Sequence, residues 1–291
     1  MTDYSGAGKT AVVTGATSGI GLFCLRELAR QGVFVIGVGH NVDHCKAAEE
    51  KVRTDIPHAQ MKYLLAELSL QREVRKLADQ IHLELKERGK THLDILLNNA
   101  GIYSQKLIRT EEGIEKTLAV NHLAPFLLTH ELLPLLQGAP FARVITVSSA
   151  SHYHARIYPR RVNHPFLYIG FLAYFSSKLA NVLFTYELNR HLQGSSVLAL
   201  ALDPGLVNTD IGLKEPGKLS QTFWRYRSIR GGPPEMPART AVFLSLDESI
   251  QNTQHYYWRD MKSQEPSHRA QDPILARRLW EKSCQLCGID W

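Results

Sequence analysis

Short apolar runs recur through the first 202 residues of the chain, separated by amphipathic stretches. A run that is apolar throughout, rather than at alternate positions, is typical of a strand buried on both faces. Six such strands are predicted at Thr10–Thr14, Val33–Val38, Met61–Leu65, Leu93–Leu97, Arg143–Val147 and Val197–Leu202. The pattern therefore predicts a sheet that is covered on both sides.

The stretches between the strands have the apolar spacing of helices. The clearest stripes are Ile20, Cys24 and Leu28 before Gly32, and Val74, Leu77, Ile81 and Leu85 before Gly89. Two longer helices are predicted at about 113–136, with bends at Pro125 and Pro134, and at about 171–192. Strands that alternate with helices in this way predict an α/β fold of the Rossmann type, a doubly wound parallel sheet with helices on both faces.

The regular alternation ends after Pro204-Gly205. Residues 208–237 are rich in proline, glycine and charge, and they predict an irregular insertion of the kind that forms lids or binding segments. A helix at Ala238–Leu246, a short strand at His255–Trp258 and a terminal helix at Pro273–Cys287 complete the prediction. Because the sequence contains no repeat or linker, residues 1–291 are expected to form a single domain.

The 291-residue chain carries a formal net charge of +6, which is spread along the sequence. Nucleic-acid-binding proteins concentrate positive charge in one patch, so charge that is spread along the chain does not indicate such a protein. The positive net charge does favour a cofactor that bears phosphate. The chain has no apolar run of eighteen residues, and its first residues lack the basic cluster and apolar core of a signal peptide. These features predict a cytoplasmic chain without a membrane anchor.

Cysteine and histidine usage does not indicate a disulfide framework or a metal site. Cys284 and Cys287 form a CxxC pair, but no second pair or histidine accompanies them, so they are interpreted as two half-buried thiols. His152, His154 and His164 lack a carboxylate or cysteine that would complete a ligand set. These histidines are predicted to be solvated or hydrogen-bonded, and no metal is predicted.

A glycine-rich turn, Thr14-Gly15-Ala16-Thr17-Ser18-Gly19-Ile20-Gly21, joins the first strand to the first helix. Glycines permit a sharp turn and a close approach of backbone N–H groups to a pyrophosphate, and the helix N-terminus adds partial positive charge. Many tight turns need glycine, but this one lies between a strand and a helix of a βαβ unit. That position indicates dinucleotide binding.

Tyr174 and Lys178 lie one helical turn apart, downstream of the serine pair Ser148-Ser149 that ends an apolar run. A tyrosine hydroxyl, whose ordinary pKa is about 10, is a poor acid or base at neutral pH, but a cation on the same helix face favours its phenolate. Taken alone, the spacing is equally that of a surface pair on an amphipathic helix. The accompanying motifs make it a candidate for proton transfer.

Five motifs in this order resemble the short-chain dehydrogenase/reductase family over nearly the whole chain: TGxxxGIG, Asn98-Asn99-Ala100-Gly101, Asn121, Ser149 and Tyr174/Lys178. Three further stretches are similar to its retinol dehydrogenase branch: Leu118–Leu123, Ser177–Phe184, and the ending from Leu279-Trp280 to Gly288-Ile289. The resemblance implies a single NAD(P)-binding domain with oxidoreductase activity. Many of these relatives have an N-terminal membrane anchor, which is not carried over because this chain starts directly at the nucleotide fold.

The resemblance implies roles for four residues. Tyr174 would exchange a proton with the substrate oxygen while a hydride moves to or from the nicotinamide. Lys178 would stabilise the phenolate and hold the nicotinamide ribose, and Ser149 would hydrogen-bond the substrate oxygen. Asn121 would bind the water of a proton relay. Ser148 is interpreted as a strand-end hydroxyl that caps its own backbone.

By the same resemblance, the dinucleotide would contact the glycine turn, the ends of later strands and the helix of the tyrosine and lysine. The implied residues are Gly15, Thr17, Ser18, Gly19, Ile20, Gly21, His40, Glu67, Leu68, Asn98, Ala100, Gly101, Tyr174, Lys178, Pro204, Gly205, Val207 and Thr209. Two alternatives stay open. The amides of Asn98 and Asn99 could stabilise their loop without touching the cofactor, and Thr209 could cap a helix.

Cofactor choice is expected at the end of the second strand, where a carboxylate would bind the ribose 2′-OH of NAD. That position is Gly39, and the next acidic residue is Asp43. His40 stands where NADP-using relatives have arginine, so NADP(H) is favoured over NAD(H). The alternative is a solvated His40 with poor selectivity. Glu67 departs from the aspartate that the family usually has beside the adenine.

The substrate is expected to lie against two loop insertions, about 151–169 and 208–237. Their large apolar side chains and those nearby favour a small lipophilic aldehyde, ketone or alcohol. These side chains are Tyr153, Ile157, Tyr158, Phe166, Leu167, Phe171, Phe223 and Trp224. The chain could pair as a homodimer through the helices that contain Asn121 and Tyr174, as many relatives do.

The sequence thus predicts an NADP(H)-dependent, retinol dehydrogenase-like carbonyl reductase or alcohol dehydrogenase that acts on a lipophilic substrate. A second hypothesis is a nucleotide-binding regulatory protein of the same fold with little or no turnover. His40, Glu67 and the unusual stretch Gln254–Trp258 support that alternative. The fold alone would not decide between them, whereas the complete set of catalytic residues favours the enzyme.

Overall fold

Eight strands form one sheet in the computed structural model, which describes residues 4–207 and 231–291. The strands are β1 Thr10–Thr14, β2 Phe34–Gly39, β3 Met61–Leu65, β4 Ile95–Asn98, β5 Ala142–Val147, β6 Val197–Leu202, β7 Tyr257–Arg259 and β8 Lys262–Ser263. Their order is β3-β2-β1-β4-β5-β6-β7-β8, and every neighbouring pair is parallel except β7 with β8. The predicted doubly wound α/β fold is confirmed.

Helices connect the parallel strands and cover both faces of the sheet. They are α1 Gly19–Arg30, α2 Val42–Asp55, α3 Gln71–Glu87, α4 Lys116–Leu118, α5 Ala124–Gln137, α6 Gly170–His191, α7 Glu235–Leu246 and α8 Pro273–Cys287. A π-helical turn, Ala119–Leu123, joins α4 to α5. Two short 3₁₀ turns, Ala150–His154 and Pro159–Arg161, lie in the loop between β5 and α6.

Neighbouring residues of β1 belong to different hydrophobic cores. Val12 lies in a cluster with Leu77 of α3 and Phe126 of α5, whereas Val13 lies in a cluster with Leu25 of α1. Because successive side chains of a strand point to opposite faces, both faces of β1 must be apolar. Burial of each such side chain stabilises the fold by roughly 1.5–3 kcal/mol. This packing explains why the strand sequences are apolar without alternation.

The order of the strands reverses between β1 and β4, and a crevice is expected at the carboxyl ends of the strands there. Thr14 ends β1, Asn98 ends β4 and Val147 ends β5. The glycine turn and the loops after β4 and β5 therefore share one edge of the sheet. The fold brings motifs that are distant in the sequence to that edge.

The long helix predicted at about 113–136 begins later, at Lys116. Gly113 lies in a turn with a φ of 75°, and the Glu115 carboxylate accepts hydrogen bonds from the first N–H groups of the helix. Such a cap fixes the helix start. The helix is interrupted by the π-helical turn, which ends just before Pro125, a residue that cannot donate a backbone hydrogen bond.

The C-terminal elements also differ from their predicted bounds. Helix α7 begins at Glu235, inside the predicted insertion, and β7 begins at Tyr257 instead of His255. The sequence does not predict β8, because the tight turn before it is formed by Asp260 and Met261, both at positive φ, without the usual glycine. The predicted contact Thr209, together with Phe223 and Trp224, lies outside the described residues.

Among the described residues, every helix is too short or too polar to cross a bilayer. The cysteines of the CxxC pair are free thiols in α8. Cys284 is half-buried as predicted, whereas Cys287 is fully buried, and burial raises the pKa of Cys287 to about 12. Such a thiol stays protonated and unreactive at neutral pH.

Candidate active site

Helix α6 buries Tyr174 and Lys178 together. Their relative exposures are 6% and 3%, and Lys178 Nζ lies 5.6 Å from the centre of the Tyr174 ring. Lys178 Nζ also donates a hydrogen bond to Val147 O at the end of β5, across 3.0 Å. The alternative of an exposed surface pair is wrong, because both side chains are buried against the sheet edge.

Burial lowers the pKa of Lys178 to about 8, because an ammonium group loses its hydration inside the protein. The negative charge of Asp203, the first residue after β6, opposes this shift. An ammonium group that titrates this close to neutral pH can exchange a proton during a reaction cycle.

The π-helical turn holds Asn121 between the loop after β4 and helix α6. Asn121 Oδ1 accepts a hydrogen bond from Ile102 N–H at 2.8 Å, and Nδ2 donates to Ile102 O at 2.9 Å and to Ser177 Oγ at 3.0 Å. Ser177 Oγ donates in turn to Tyr174 O at 2.7 Å. The Asn121 amide therefore fastens the loop to the first turns of α6, beside Tyr174.

The two serines after β5 have different partners. Ser148 Oγ donates to Lys178 O at 2.8 Å, so the prediction that it caps its own backbone is wrong. The reason is that α6 crosses the end of β5 closely enough to offer its carbonyl. Ser149 Oγ accepts from Ser151 N–H at 3.2 Å. A hydroxyl that accepts in this way still has its own hydrogen to donate.

His152 is buried, and both of its ring nitrogens have backbone partners. Nδ1 donates to Ser149 O at 2.8 Å, and Nε2 accepts from Ser267 N–H at 3.1 Å. Burial lowers the pKa of His152, which matches this neutral arrangement. Its prediction as a hydrogen-bonded histidine is confirmed. Within the described residues, no group of histidine, cysteine and carboxylate side chains is arranged to hold a metal.

Space requires glycine at two positions of the glycine-rich turn. A Cβ on Gly21 would lie 2.3 Å from Gly15 O and 2.5 Å from Asn99 Nδ2. Gly15 has a φ of 66°, and a Cβ there would lie 2.9 Å from the Ala100 Cα. The glycines let α1 pack tightly on β1 and let the turn touch the loop after β4.

Thr14, Tyr63 and Asn99 hold this turn, although none is in the predicted contact set. Thr14 Oγ1 accepts from the N–H groups of Asn99 and Ala100, both at 3.0 Å, and Asn99 Nδ2 donates to Thr14 O at 2.8 Å. Tyr63 OH donates to Ala16 O at 2.9 Å. Thr14 could have been recognised as the polar end of an apolar strand, but Tyr63 comes from β3 with no local signal.

Asn98 and Gly101 lie at different depths in the loop after β4. Asn98 is buried, and its Nδ2 donates to Thr129 Oγ1 of α5 at 3.2 Å. A Cβ on Gly101 would lie 3.5 Å from Lys178 Nζ and 3.6 Å from Asn121 Oδ1. Because Gly101 has no side chain, the loop after β4 lies close to Lys178 and Asn121 at this point. Asn98 instead links β4 to helix α5.

The start of α1 is open to solvent. In the described part of the chain, the Ser18 hydroxyl makes no capping bond to α1, and Ser18 is exposed. The neighbouring residues Thr17, Gly19 and Ile20 are partly exposed. The N–H groups of the first helical turn are thus available to an anion such as a phosphate.

The end of β2 has no room for a carboxylate. A Cβ on Gly39 would lie 2.5 Å from Cys45 Sγ and 2.6 Å from Thr17 Cγ2, whereas the following His40 is exposed. Across the crevice edge, burial acts to raise the pKa of Glu67, but hydrogen bonds from Ser69 and the charges of Lys116 and His40 lower it overall. Glu67 is therefore an ionised acceptor beside a positively charged neighbourhood.

The remaining predicted contacts follow β3 and β6. Leu68 is partly buried against the core under the sheet. Pro204 and Gly205 follow Asp203, and Gly205 has a φ of 71° with its N–H donating to Asp203 Oδ1 at 2.9 Å. Val207 forms a β-bridge with Gly232 at the edge of the undescribed segment.

This arrangement fits a dinucleotide. Gly15 and Gly21 let the turn pack closely against the loop after β4, Gly101 adds no side chain beside Lys178, and the amides at the start of α1 suit a pyrophosphate. The exposed His40 beside Gly39 could meet a ribose phosphate. Lys178 faces Gly101 at the other end. The crevice therefore places a phosphate-binding turn and a buried Tyr–Lys pair at one sheet edge.

Comparisons with known proteins agree with this geometry. The short chain dehydrogenase family model matches residues 9–218. Retinol dehydrogenase 12 of Bos taurus is 37% identical over 100% of this chain and 90% of its own. A crystal structure of an uncharacterized protein from Mycobacterium Paratuberculosis has a TM-score of 0.75 and 33% identity over 99% of this chain and 97% of its own. The landomycin C-6 ketoreductase LanV, solved with bound NADP and rabelomycin, has a TM-score of 0.69 and 25% identity over 88% and 96%.

The chain belongs to the short-chain dehydrogenase/reductase family of oxidoreductases. Within that family it falls in the retinol dehydrogenase branch, as the sequence motifs predicted.

Proposed function

We propose that the chain is an NADP(H)-dependent oxidoreductase that interconverts a lipophilic aldehyde or ketone with its alcohol. The observation that carries this proposal is the burial of Tyr174 against Lys178 at the carboxyl edge of the sheet, where Ser148 and Ser149 follow β5 and Ser148 binds the Lys178 carbonyl. A buried phenol beside a buried cation is suited to proton transfer. A purely structural pair would not need an ammonium group there, since burying one is costly.

The chain's own residues handle the proton. NADP(H) supplies or accepts the hydride when it is bound. Tyr174 would donate its proton to the carbonyl oxygen, or accept the proton of an alcohol in the reverse direction. Ser149 would hydrogen-bond that oxygen, and Lys178 would stabilise the Tyr174 phenolate. After Tyr174 has given its proton to the carbonyl oxygen, Lys178 would pass a proton to the phenolate. Lys178 would then recover a proton from solvent through a water bound by Asn121.

The surroundings of β2 support NADP(H). The crowding at Gly39 works against a carboxylate that would select NAD, and the exposed His40 can meet a 2′-phosphate. The ketoreductase LanV, a solved relative, was crystallised with NADP. NAD(H) is the alternative that the experiment below distinguishes.

A lipophilic substrate is supported by the loop before α6 and the start of that helix. Phe166 and Leu167 are 87% and 74% exposed, and Tyr158, Ile169 and Leu172 are exposed as well. Exposed apolar side chains in this number mark an interaction surface. Relatives of the chain are named retinol dehydrogenases and polyprenol dehydrogenase, which indicates long apolar substrates.

The test is to incubate the purified chain with NADPH or NADH and a panel of lipophilic aldehydes and ketones while recording nicotinamide absorbance. The proposal expects oxidation of NADPH by at least one long-chain or polyene aldehyde, with NADH much slower. Tight NADPH binding without reduction of any carbonyl would instead favour the nucleotide-binding regulatory protein. A clear preference for NADH would contradict the assignment made from Gly39 and His40.

A further inference from the structure

Asp203 is a buried carboxylate at the carboxyl end of β6. It is 3% exposed, and each of its two oxygens accepts a hydrogen bond from a described residue. Oδ1 accepts from Gly205 N–H at 2.9 Å, and Oδ2 accepts from Tyr257 OH at 2.7 Å. Among the described residues, no lysine or arginine forms an ion pair with it. Burying a carboxylate costs free energy, which the two hydrogen bonds to Asp203 offset in part.

Tyr257 is placed to hold that carboxylate. It lies on β7, which pairs with β6, and Asp203 N–H donates to Trp258 O at 2.8 Å. The Tyr257 ring is fully buried, so its hydroxyl has little freedom to turn elsewhere. Burial and the neighbouring carboxylate of Asp203 both raise the pKa of Tyr257, which therefore remains a hydrogen-bond donor. The sheet itself fixes the distance between Tyr257 and Asp203.

The negative charge of Asp203 acts to raise the pKa of the catalytic candidate Lys178. The described residues include no carboxylate within ion-pair distance of Lys178, and its Nζ has Val147 O as its hydrogen-bond partner. Val147 pairs with Leu202, the residue before Asp203, so Asp203 follows β6 at the level of the strand end that binds Lys178. The negative charge of Asp203 favours the ammonium form of Lys178. Charges separated by low-dielectric protein interact more strongly than they would in water.

We propose that Asp203, held by Tyr257, is a positioning residue that fixes the Gly205 turn and balances the positive charge of Lys178. The inference rests on the proposed function, because both the turn and Lys178 are placed at the cofactor end of the site. The same carboxylate then couples the shape of the turn to the protonation of the reacting pair. Tyr257 acts through Asp203 and does not touch the reacting atoms.

Other charged and titratable groups surround Asp203 and must be kept constant in a test. The negative charge of Asp203 acts to raise the pKa of His152 and of Tyr153, which both lie in the segment after β5. The positive charge of Arg259 on β7 has the opposite effect, because it acts to lower the pKa of Tyr257 and of Tyr153. Single substitutions at Asp203 and Tyr257 leave all of these groups in place.

The substitutions Asp203→Asn and Tyr257→Phe separate the two parts of the proposal. Asparagine keeps an oxygen for Gly205 N–H but removes the negative charge, so the Lys178 ammonium should lose its proton at a pH lower by about one unit. Phenylalanine keeps the charge but removes the hydroxyl donor, so NADPH should bind about tenfold more weakly because the turn is less well held. Tyr256→Phe is the matched control, since its hydroxyl contacts exposed Gln254.

The experiment measures two quantities that do not depend on turnover. The first is the midpoint of the Lys178 signal in an NMR titration of the cofactor-free protein labelled at lysine Cε, with Lys178→Arg to assign the signal. The second is the NADPH dissociation constant of the wild type and variants, from nicotinamide fluorescence. Circular dichroism checks that each variant is folded. If Asp203→Asn does not fold, Tyr257→Phe carries the test.

The proposal expects the lower Lys178 midpoint in Asp203→Asn, weaker NADPH binding in Tyr257→Phe, and wild-type values in Tyr256→Phe. If the wild type binds NADPH and both variants match it in each measurement, the role of Asp203 is wrong while the proposed function stands. If the wild type binds no dinucleotide, the proposed function fails first and this inference falls with it.

Discussion

Lys178 Nζ donates a hydrogen bond to Val147 O across 3.0 Å, so the last residue of β5 fixes the cation of the site to the sheet. The same helix carries Tyr174, and Ser148 Oγ binds the carbonyl of Lys178 itself. Helix and strand are therefore joined at the level of the reacting groups. A group held in this way needs little reorganisation when a proton moves.

Replacement of Lys178 by methionine should strongly reduce activity while keeping the fold. Removal of the cation takes away the group that favours the Tyr174 phenolate, and the expected loss in kcat is about a hundredfold or more. Stability should be unchanged or higher, because a buried charge is replaced by an apolar side chain. Steady-state kinetics and thermal melting measure both effects. Lys51→Met, at an exposed position of α2, is the control, and a Lys178→Met variant with near-normal kcat would refute the role.

Gly21→Ala should damage the dinucleotide site. The new Cβ would meet Gly15 O at 2.3 Å and Asn99 Nδ2 at 2.5 Å, so the turn has to move away from the loop after β4. We expect about 1–3 kcal/mol of lost stability and at least tenfold weaker NADPH binding. Denaturant unfolding and fluorescence titration measure these quantities. Gly138→Ala, whose nearest neighbours lie at 3.4 Å, should be close to the wild type; equal effects of the two substitutions would argue against a special role for the turn.

Acid should destabilise the protein through His122. Burial lowers the pKa of His122 to about 4, against a value of about 6.5 in the unfolded chain. The unfolded state therefore binds the proton first, and the stabilising difference present above pH 6.5 is lost as the pH falls towards 4. This single group should remove about 2 kcal/mol of unfolding free energy between pH 6.5 and 4.5.

The measurement for His122 is urea unfolding at the two pH values. The variant His122→Gln should have a weaker pH dependence than the wild type, whereas the exposed-site control His58→Gln should keep it. An unchanged pH dependence in His122→Gln would mean that other groups control acid stability.

Substitution of His40 should change the choice of cofactor. An aspartate there would repel a 2′-phosphate and offer an acceptor to a ribose 2′-OH, so His40→Asp should lower the ratio of kcat/KM for NADPH to that for NADH by about tenfold or more. His40→Arg should raise the ratio, because a guanidinium is always charged and binds a phosphate through two parallel hydrogen bonds. His44→Asp, one helical turn away and also exposed, is the control. Equal ratios in all of these proteins would place cofactor choice elsewhere.

Two tryptophans near the C-terminus, Trp280 and Trp291, pack on helices α5 and α6. The sequence suggests that a homodimer could form through this region. Trp280 of α8 lies 6.0 Å from Phe184 of α6 between ring centres, and Trp291 lies 4.9 Å from Phe126 of α5. Pairing through these helices would have to displace α8. We therefore expect a monomer by light scattering after size-exclusion chromatography, and a dimer that survives dilution would show that pairing uses this or another face.

Much of the fold and of the candidate site could be predicted because the signals are local. The glycine turn, Ser149 and Tyr174 with Lys178 each lie in a short motif at the end of a strand or on one helix, and the strand order at a switch point brings such motifs together. Both ends of the strand Thr10–Thr14 were predicted correctly for the same reason, because the ends of a short apolar run are visible in the sequence.

The parts that were missed depend on contacts between distant residues. Tyr63 reaches Ala16 from 47 residues away, and His152 accepts from Ser267 across 115 residues. Tyr257 was visible only as part of an unusual aromatic stretch, although its hydroxyl binds Asp203. No periodicity or motif spacing encodes such pairs. The start of the helix at Lys116 was missed because glutamate is an uncommon cap.

The most direct test of the central claim is the effect of Tyr174→Phe on turnover and on cofactor binding in the same preparation, with Tyr256→Phe as the matched loss of a hydroxyl. The account predicts that Tyr174→Phe lowers kcat by about a hundredfold or more while the NADPH dissociation constant stays within about twofold of the wild type. Full activity in Tyr174→Phe would contradict it.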